Sequence, residues 1–222
     1  ANSGSLADDV NDDRPAIEAA IKAANTGDEI YFPNGTYNLD SLWTGSSNTQ
    51  IKLYSQINLR GESGTGVIFK SSLDDGGTLT YYVMRASGVG NIHVQNITMT
   101  STWSGSYSDS VTTANPDRGG PTYMITTDNS GTSMSWNITF ENIICEKYRR
   151  MAFRIDGGSH DIVIKSCLAK NATDLAGGGA GYGFVFQGQY PSSHSASRDP
   201  NPYLDTEDDN YFNVLDNCTS EG

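Results

Sequence analysis

The sequence has few charged residues and no long apolar run, and each shortage excludes a class of protein. Charged residues make up 18% of the 222 residues, and acidic side chains outnumber basic ones, so the formal net charge is −12. A surface that binds nucleic acid is basic, so this balance argues against a nucleic-acid partner. No apolar run approaches the roughly 18 residues of a membrane-spanning helix, so we expect no membrane partner.

Cysteine is also scarce, and the three cysteines are odd in number. An odd count excludes a complete disulfide framework. The sequence has neither a Cys-x-x-Cys pair nor a Cys/His cluster, which makes a zinc site unexpected. Cys167 and Cys218 fall at equivalent places in the repeat described next, so we predict that they are small, buried, apolar side chains.

Four segments of the chain align with one another: Gly90–Thr102, Trp136–Tyr148, His160–Ala172 and Tyr211–Gly222. Each is a strand-like run, one turn residue, and a second strand-like run. The turn residues are Asn96, Asn142, Ser166 and Asn217, and the residues that follow are Ile97, Ile143, Cys167 and Cys218. We expect these last four side chains to point inward in a coiled sheet.

A second set of strand-like runs comprises Tyr81–Arg85, Tyr123–Thr127, Ala152–Ile155 and Gly183–Gln187, and the last three lie between the aligned segments. The pattern therefore predicts three strands in each coil. The coils differ in length because two of them carry insertions, Trp103–Pro121 and Gln189–Asp209. Repeat proteins place such insertions on one face, which is often the binding face.

The N-terminal part reads differently. Asp12 or Asp13 is a candidate helix cap before Pro15, and alanines and isoleucines at helical spacing follow. Then comes a strand, an Asn34-Gly35 turn and another strand. The chain starts at Ala1 without Met or an apolar signal core, which predicts a secreted protein whose signal peptide has been removed.

This helix, the segment GDEIYFPNGTY (Gly27–Tyr37) and the stacked repeats resemble the pectate-lyase-like superfamily. The resemblance implies an all-β, right-handed parallel β-helix with three sheets per coil and a short N-terminal capping helix, as a single domain over residues 1–222. No C-terminal cap is recognisable before Gly222, so we expect that a longer protein or a second polypeptide continues the β-helix. The superfamily includes lyases, polygalacturonases, epimerases and tailspikes, so the fold leaves the reaction open.

The resemblance also implies a substrate groove along one sheet, which we assign to the sheet that carries the outward row Glu146, Lys170 and Glu221. The densest basic cluster, Lys147–Arg150, lies at its edge. β-Elimination of a uronate needs a base and a cation that neutralises the enolate. The candidate catalytic residues are therefore Lys147, Tyr148, Lys170 and Arg150. The alternatives to a catalytic role are that Lys170 forms a solvated ion pair and that Lys147–Arg150 form a solvated turn.

Polar and aromatic residues on the same sheet or near the insertions are candidates for binding sugar. Arginine grips a carboxylate with two hydrogen bonds, and aromatic rings stack on sugar faces. The candidates are Arg118, Tyr123, Glu146, Asn171, Tyr190, His194 and Arg198. No metal is required by the sequence; if Ca²⁺ binds, Glu146 and Glu221 are its candidate ligands, because Ca²⁺ prefers carboxylates.

These features predict a secreted polysaccharide lyase whose partner is an anionic polysaccharide, with alginate as the first candidate. One alternative is a glycoside hydrolase of the same fold, with Asp174, Asp208 and Asp209 as candidate acids and bases. Another is a β-helix that binds carbohydrate without catalysis.

Overall fold

The computed structural model describes residues 8–76, 79–130, 133–176, 180–187 and 212–221. Within these residues the chain forms one helix and fifteen strands. In chain order they are α1 (Arg14–Ala23), β1 (Glu29–Phe32), β2 (Gly35–Leu39), β3 (Thr49–Lys52), β4 (Asn58–Gly61), β5 (Val67–Ser71), β6 (Tyr82–Ser87), β7 (Gly90–Ser101), β8 (Tyr123–Asp128), β9 (Trp136–Glu146), β10 (Met151–Asp156), β11 (His160–Lys165), β12 (Leu168–Lys170), β13 (Tyr182–Gln187), β14 (Val214–Asp216) and β15 (Thr219–Glu221).

The described strands form two parallel sheets. One contains five strands in the order β13-β10-β8-β6-β3, and the other contains the remaining ten. The ten-stranded sheet has two halves, and β7 and β9 run through both of them. Each coil therefore crosses the five-stranded sheet once and each half of the larger sheet once. This architecture confirms the predicted parallel β-helix.

The larger sheet bends at the aligned turn residues. Asn96, Asn142, Ser166 and Asn217 all have a left-handed backbone, with φ between 49° and 59°. Asparagine tolerates this conformation better than most residues, and one such residue redirects a strand without interrupting it. The Asn142 amide also donates a hydrogen bond of 2.8 Å to Oδ1 of Asn96 on the preceding coil. The predicted turn column is confirmed.

Replacing Asn142 with alanine should lower the free energy of unfolding by about 1–2 kcal/mol. Alanine has a Cβ that disfavours φ of 53° and has no amide to bond Asn96. Asn142→Gly is the matched variant, because glycine accepts the φ angle but also lacks the amide. Urea denaturation should rank stability as wild type, then glycine, then alanine. Equal midpoints for all three would contradict this account.

The core lies between the two sheets. The inward residues of the aligned segments, Ile97, Ile143 and Cys167, are at most 2% exposed, as predicted, and Cys218 packs against the same cluster. The ring of Phe153 stacks on that of Phe184 at a centroid distance of 5.0 Å. Helix α1 contributes Ile17 and Ile21 to this core. Among the described residues, no helix is long and apolar enough to cross a membrane.

Two local expectations for the N-terminal part need correction. Strands β1 and β2 flank the Asn34-Gly35 turn but do not form a hairpin, because β1 pairs in parallel with β4, and β2 with β5. The Asp13 side chain does not cap α1; it accepts a hydrogen bond from the backbone N–H of Asn38 instead. The Asp12 carboxylate accepts one from the N–H of Arg14. These side chains tie the helix to the first coil.

The cysteines should differ in their reactivity towards iodoacetamide. Burial raises the pKa of Cys145 well above its usual value, and burial raises the pKa of Cys167 to about 12. Since the thiolate is the nucleophile, both should stay unlabelled at neutral pH in the native protein. The partly exposed Cys218 should react slowly. Mass spectrometry of the native protein should show at most one label, and the urea-unfolded control should show three. Rapid native labelling of all three would contradict the buried positions.

Candidate functional site

The outer face of the five-stranded sheet carries three rows of side chains that run from coil to coil. Strand register sets them, because residues paired between parallel strands lie side by side. The aromatic end row contains Tyr82, Tyr123, Met151 and Tyr182; the middle row contains Lys52, Arg85, Thr126 and Arg154; the last row contains Ser87, Asp128, Asp156 and Gln187. We call the set Tyr82, Arg85, Tyr123, Asp128, Arg154 and Asp156 the charged face.

Aromatic rings hold the two arginines of the charged face in place. The rings of Tyr82 and Tyr123 pack at a centroid distance of 5.4 Å. The guanidinium of Arg85 lies 4.8 Å from the Tyr82 ring centroid, and that of Arg154 lies 5.1 Å from the Tyr123 ring centroid. Cation–π contacts of this kind fix the cation and limit its rotation.

Each arginine also pairs with a buried carboxylate. Nη2 of Arg85 lies 2.6 Å from Oδ2 of Asp128, and Arg154 pairs through Nη2 with Oδ2 of Asp156. Asp128 is 6% exposed and Asp156 is 1% exposed, whereas the arginine side chains are 29% and 17% exposed. The carboxylates therefore lie deep, and the cations lie closer to the solvent.

Asp156 is the acid whose titration the site changes. Burial raises its pKa, and the charge of Asp128 on the neighbouring coil adds to that shift. The Arg154 guanidinium and the backbone N–H of Gly157, which bonds Oδ1 at 2.8 Å, oppose the rise without cancelling it. A carboxyl group with a raised pKa exchanges protons closer to neutral pH than an ordinary aspartate does.

Three buried polar atoms in or next to the charged face have no hydrogen-bond partner among the residues that the structure describes. They are Oγ1 of Thr126, Oδ1 of Asp128 and Nε of Arg154, on two neighbouring coils. Buried polar groups are almost always satisfied, so each exception needs an explanation. All three atoms are closed to solvent, so they lie within the packed face and are not offered to a ligand on its surface.

The predicted outward row of Glu146, Lys170 and Glu221 is present on the ten-stranded sheet, away from the strands that carry the charged face. Lys170 on β12 pairs in register with Glu146 on β9 and Glu221 on β15. Nζ of Lys170 lies 3.4 Å from Oε2 of Glu146, in a half-buried pair. Among the described residues, no group of three or more His, Cys, Asp and Glu side chains could hold a metal ion. The predicted roles of these three residues stay predictions.

The structure corrects the prediction for Tyr148. This side chain is 1% exposed and belongs to the core, and burial raises its pKa far above the usual value of a phenol. It cannot reach a substrate or act as a base at neutral pH. The cause is its neighbour Lys147, whose left-handed φ of 58° reverses the chain and turns Tyr148 inward. The Lys147 ammonium lies 3.4 Å from the carbonyl oxygen of Trp103.

The other candidates are spread over the molecule. Arg150 is half-buried at the entrance to β10, and its N–H bonds the carbonyl oxygen of Thr122. Arg118 lies in the first insertion, 3.9 Å from the buried Asp174. Asn171 is exposed at the end of β12. Tyr123 belongs to the charged face. The candidates that lie outside the described residues are Tyr190, His194, Arg198, Asp208 and Asp209.

Sequence reasoning missed most of the charged face, although a signal was present. The strands YVMRAS, YMITTD, MAFRID and YGFVFQ align as the four segments of the larger sheet do. That alignment places Thr126 between Arg85 and Arg154 on successive coils, and places Asp128 beside Asp156. An arginine at the same position of two otherwise apolar strands is unusual, because charged side chains are rarely buried without a reason.

Comparison with protein families now adds to this geometry. Residues 1–213 match the family described as rhamnogalacturonase A/epimerase, pectate lyase-like. The chain belongs to this family. The match agrees with the parallel β-helix and with the resemblance to the pectate-lyase-like superfamily. Comparison with curated protein sequences gave no match.

Solved structures of the same fold share little sequence with this family member. The A-module of a mannuronan C-5 epimerase from Azotobacter vinelandii is 15% identical over 99% of this chain and 52% of its own, with a TM-score of 0.58. An alginate lyase from Paenibacillus is 15% identical over 93% of this chain and 55% of its own, with a TM-score of 0.60. A surface adhesin of Streptococcus pneumoniae is 20% identical over 78% and 38%, with a TM-score of 0.51. The chain thus spans about half the length of the first two.

Proposed function

We propose that this protein is a secreted polysaccharide lyase that cleaves a uronate-containing polymer by β-elimination, with alginate as the first substrate to test. The observation that carries the proposal is the charged face, where a row of cations lies beside a row of buried carboxylates. Arg85 and Arg154 lie two coils apart, about 10 Å along the axis at a rung spacing of about 4.8 Å. Cations at that spacing suit an extended polyanion.

The charged face has the groups that β-elimination requires. Arginine would bind the uronate carboxylate and neutralise the negative charge that develops when the neighbouring proton leaves. Asp156 is 1% exposed and paired with Arg154, so it would reach that proton only when the uronate carboxylate draws the guanidinium aside. In its ionised form it would then take the proton, and the electron pair of the C–H bond would form the C=C bond as the glycosidic C–O bond breaks. The protonated Asp156 would then return the proton to the leaving oxygen. Its raised pKa makes Asp156 a stronger base for the first step than an ordinary aspartate.

A second function uses the same residues. Asp128 and Asp156 lie on neighbouring coils, and a pair of carboxyl groups flanking a glycosidic bond is the usual equipment of a glycoside hydrolase. The raised pKa of Asp156 would suit the acid of such a pair. The predicted set Asp174, Asp208 and Asp209 stays a prediction, because Asp208 and Asp209 lie outside the described residues; Asp174 lies 3.9 Å from Arg118 and accepts a hydrogen bond from the N–H of Asn115.

Incubation with alginate, pectate and chondroitin separates the functions. A lyase produces an unsaturated uronate, which is followed by its ultraviolet absorbance, together with new reducing ends. New reducing ends without ultraviolet absorbance would favour the hydrolase. Binding to the polymer without either product would favour a carbohydrate-binding β-helix and would sink both enzymatic proposals.

A further inference from the structure

Two free thiols lie next to each other on neighbouring coils of the ten-stranded sheet, and the proposed reaction uses neither. Cys167 directly precedes β12, and Cys218 directly precedes β15. These strands pair in parallel with Leu168 opposite Thr219, so the two cysteines occupy equivalent positions. Parallel strands lie about 4.8 Å apart, and a disulfide joins residues whose Cα atoms are about 4.4–6.8 Å apart. The stacking therefore places this pair within the reach of a disulfide.

The contacts of Cys218 show that its sulfur points towards the preceding coil. Its Sγ accepts a hydrogen bond of 3.4 Å from the backbone N–H of Cys167 and lies 3.3 Å from the carbonyl oxygen of Ile164. Burial raises the pKa of Cys167 to about 12, and a hydrogen bond with the Cys218 thiol adds to the rise. The two thiols are thus already in contact. Rotation of both side chains, with a small shift of one coil, would bring the sulfur atoms to the bonding distance of about 2.05 Å.

The coil that carries Cys218 has room to make this shift. Its strands β14 and β15 are exposed along their whole length, and Val214 and Leu215 are each 47% exposed. Cys167, in contrast, is 2% exposed, and its Sγ accepts a hydrogen bond of 3.5 Å from the N–H of Ile143 on the coil before it. Since Cys167 is packed on that side, the adjustment falls on the exposed coil.

The third cysteine lies too far along its strand to compete. Cys145 is opposite Ala169, two residues beyond Cys167. A rise of about 3.3 Å per residue and a strand separation of about 4.8 Å put the Cα atoms of Cys145 and Cys167 about 8 Å apart, which exceeds the limit for a disulfide. Cys145 and Cys218 are two coils apart and therefore more distant still. Of the three pairings that three cysteines allow, the strand register favours one.

We propose that Cys167 and Cys218 form a modification site, at which a small disulfide oxidant such as oxidised glutathione joins the two coils covalently. The thiolate of the partly exposed Cys218 attacks oxidised glutathione and releases one glutathione thiolate. The Cys167 thiolate then attacks the Cys218 sulfur and releases the second. The two cysteines lose two protons and two electrons, which leave with two molecules of reduced glutathione. No residue of the charged face takes part, so the cross-link and the proposed reaction can fail independently.

Oxidation of the reduced protein with oxidised glutathione tests the site, both on the native protein and during refolding from urea, when Cys167 is accessible. Iodoacetamide in urea then counts the remaining thiols by mass spectrometry. Three labels are expected before oxidation and one, on Cys145, after it. Digestion without reductant should give one peptide pair that joins Cys167 to Cys218. Cys145→Ala is the matched control and should keep the cross-link, whereas Cys167→Ala and Cys218→Ala should each abolish it. Circular dichroism would confirm that each variant is folded.

The melting temperature gives a second readout, which separates a cross-link that fits the stacked coils from one that distorts them. The disulfide joins residues 51 positions apart and so constrains the unfolded chain. It should raise the melting temperature by about 5 °C or more, and a reductant should reverse the rise. The same treatment of Cys218→Ala should change nothing. Three free thiols after both treatments, a cross-link to Cys145 in the wild type, or a lower melting temperature on cross-linking would each overturn the proposal.

Discussion

Asp156→Asn should reduce turnover of the uronate polymer by a factor of about 100 or more. Asparagine has nearly the same shape, so the hydrogen bond from Gly157 and the contact with Arg154 remain available. It cannot take or return a proton, and general acid–base catalysis typically contributes factors of about 10²–10⁴. The measurement is kcat with the polymer that the wild type cleaves. Wild-type turnover in this variant would remove Asp156 from the reaction.

Asp156→Asn should lower turnover but raise the stability of the folded protein above the ordinary aspartate pKa, and this gain serves as its folding control. The pKa of Asp156 is raised in the folded state, so the folded protein binds this proton more tightly than the unfolded chain does. Stability is therefore lost as pH rises from the ordinary aspartate pKa of about 3.9 through the raised value. Asparagine carries no such proton. The melting temperature of Asp156→Asn, relative to wild type, should rise as the pH increases above about 4.

Arg154→Gln should lower kcat/KM for the uronate polymer by about 100-fold. The variant loses the cation that would meet the uronate and also leaves the buried Asp156 unpaired, and truncating one partner of such a pair costs about 2–5 kcal/mol. Because the Arg154 charge lowers the pKa of Asp156, its removal should also raise that pKa. The acidic limb of the rate profile should then move to higher pH. An acidic limb that does not move would show that Arg154 does not act on the acid that controls the rate.

Arg60→Gln is the matched control for Arg154. The Arg60 guanidinium also lies over a tyrosine, 4.6 Å from the Tyr31 ring centroid, and Nε lies 2.7 Å from a carboxylate oxygen of Glu29. This arrangement has the same chemistry but lies on the ten-stranded sheet, with an arginine side chain that is 38% exposed. The control should keep wild-type kcat/KM. Equal losses in both variants would show that the effect is general destabilisation.

The part of the fold that repeats could be predicted from the sequence. One alignment of four segments placed Asn96 and Asn142 at the turns and Ile97 and Ile143 in the core, because a parallel β-helix brings equivalent residues of successive coils side by side. The same alignment gave the register of Lys170 with its two glutamates. Periodicity was sufficient there because side chains alternate between core and surface on each side of the turn residue, and the turn residues of successive coils align.

The candidate site was harder to predict for two physical reasons. Alternation shows which side chains point outward, but it does not show which of the outward faces buries its charges, so it did not single out the charged face. Alternation also fails wherever the backbone becomes left-handed. Lys147 is such a residue, with φ of 58°, and the reversal there put Tyr148 in the core. Nothing in the letters KYRR distinguishes that turn from a continued strand.

The coil-to-coil register has an evolutionary consequence. The distance between Arg85 and Arg154 depends on the spacing of stacked backbones and not on the length of the loops between the strands. Insertions such as Trp103–Pro121 can therefore be lengthened, shortened or replaced while the charges keep their separation. Natural variation in this lineage should alter the neighbouring loops freely and thereby change the preferred polymer. The separation of the two arginines, and so the spacing of the polymer groups they contact, should stay constant.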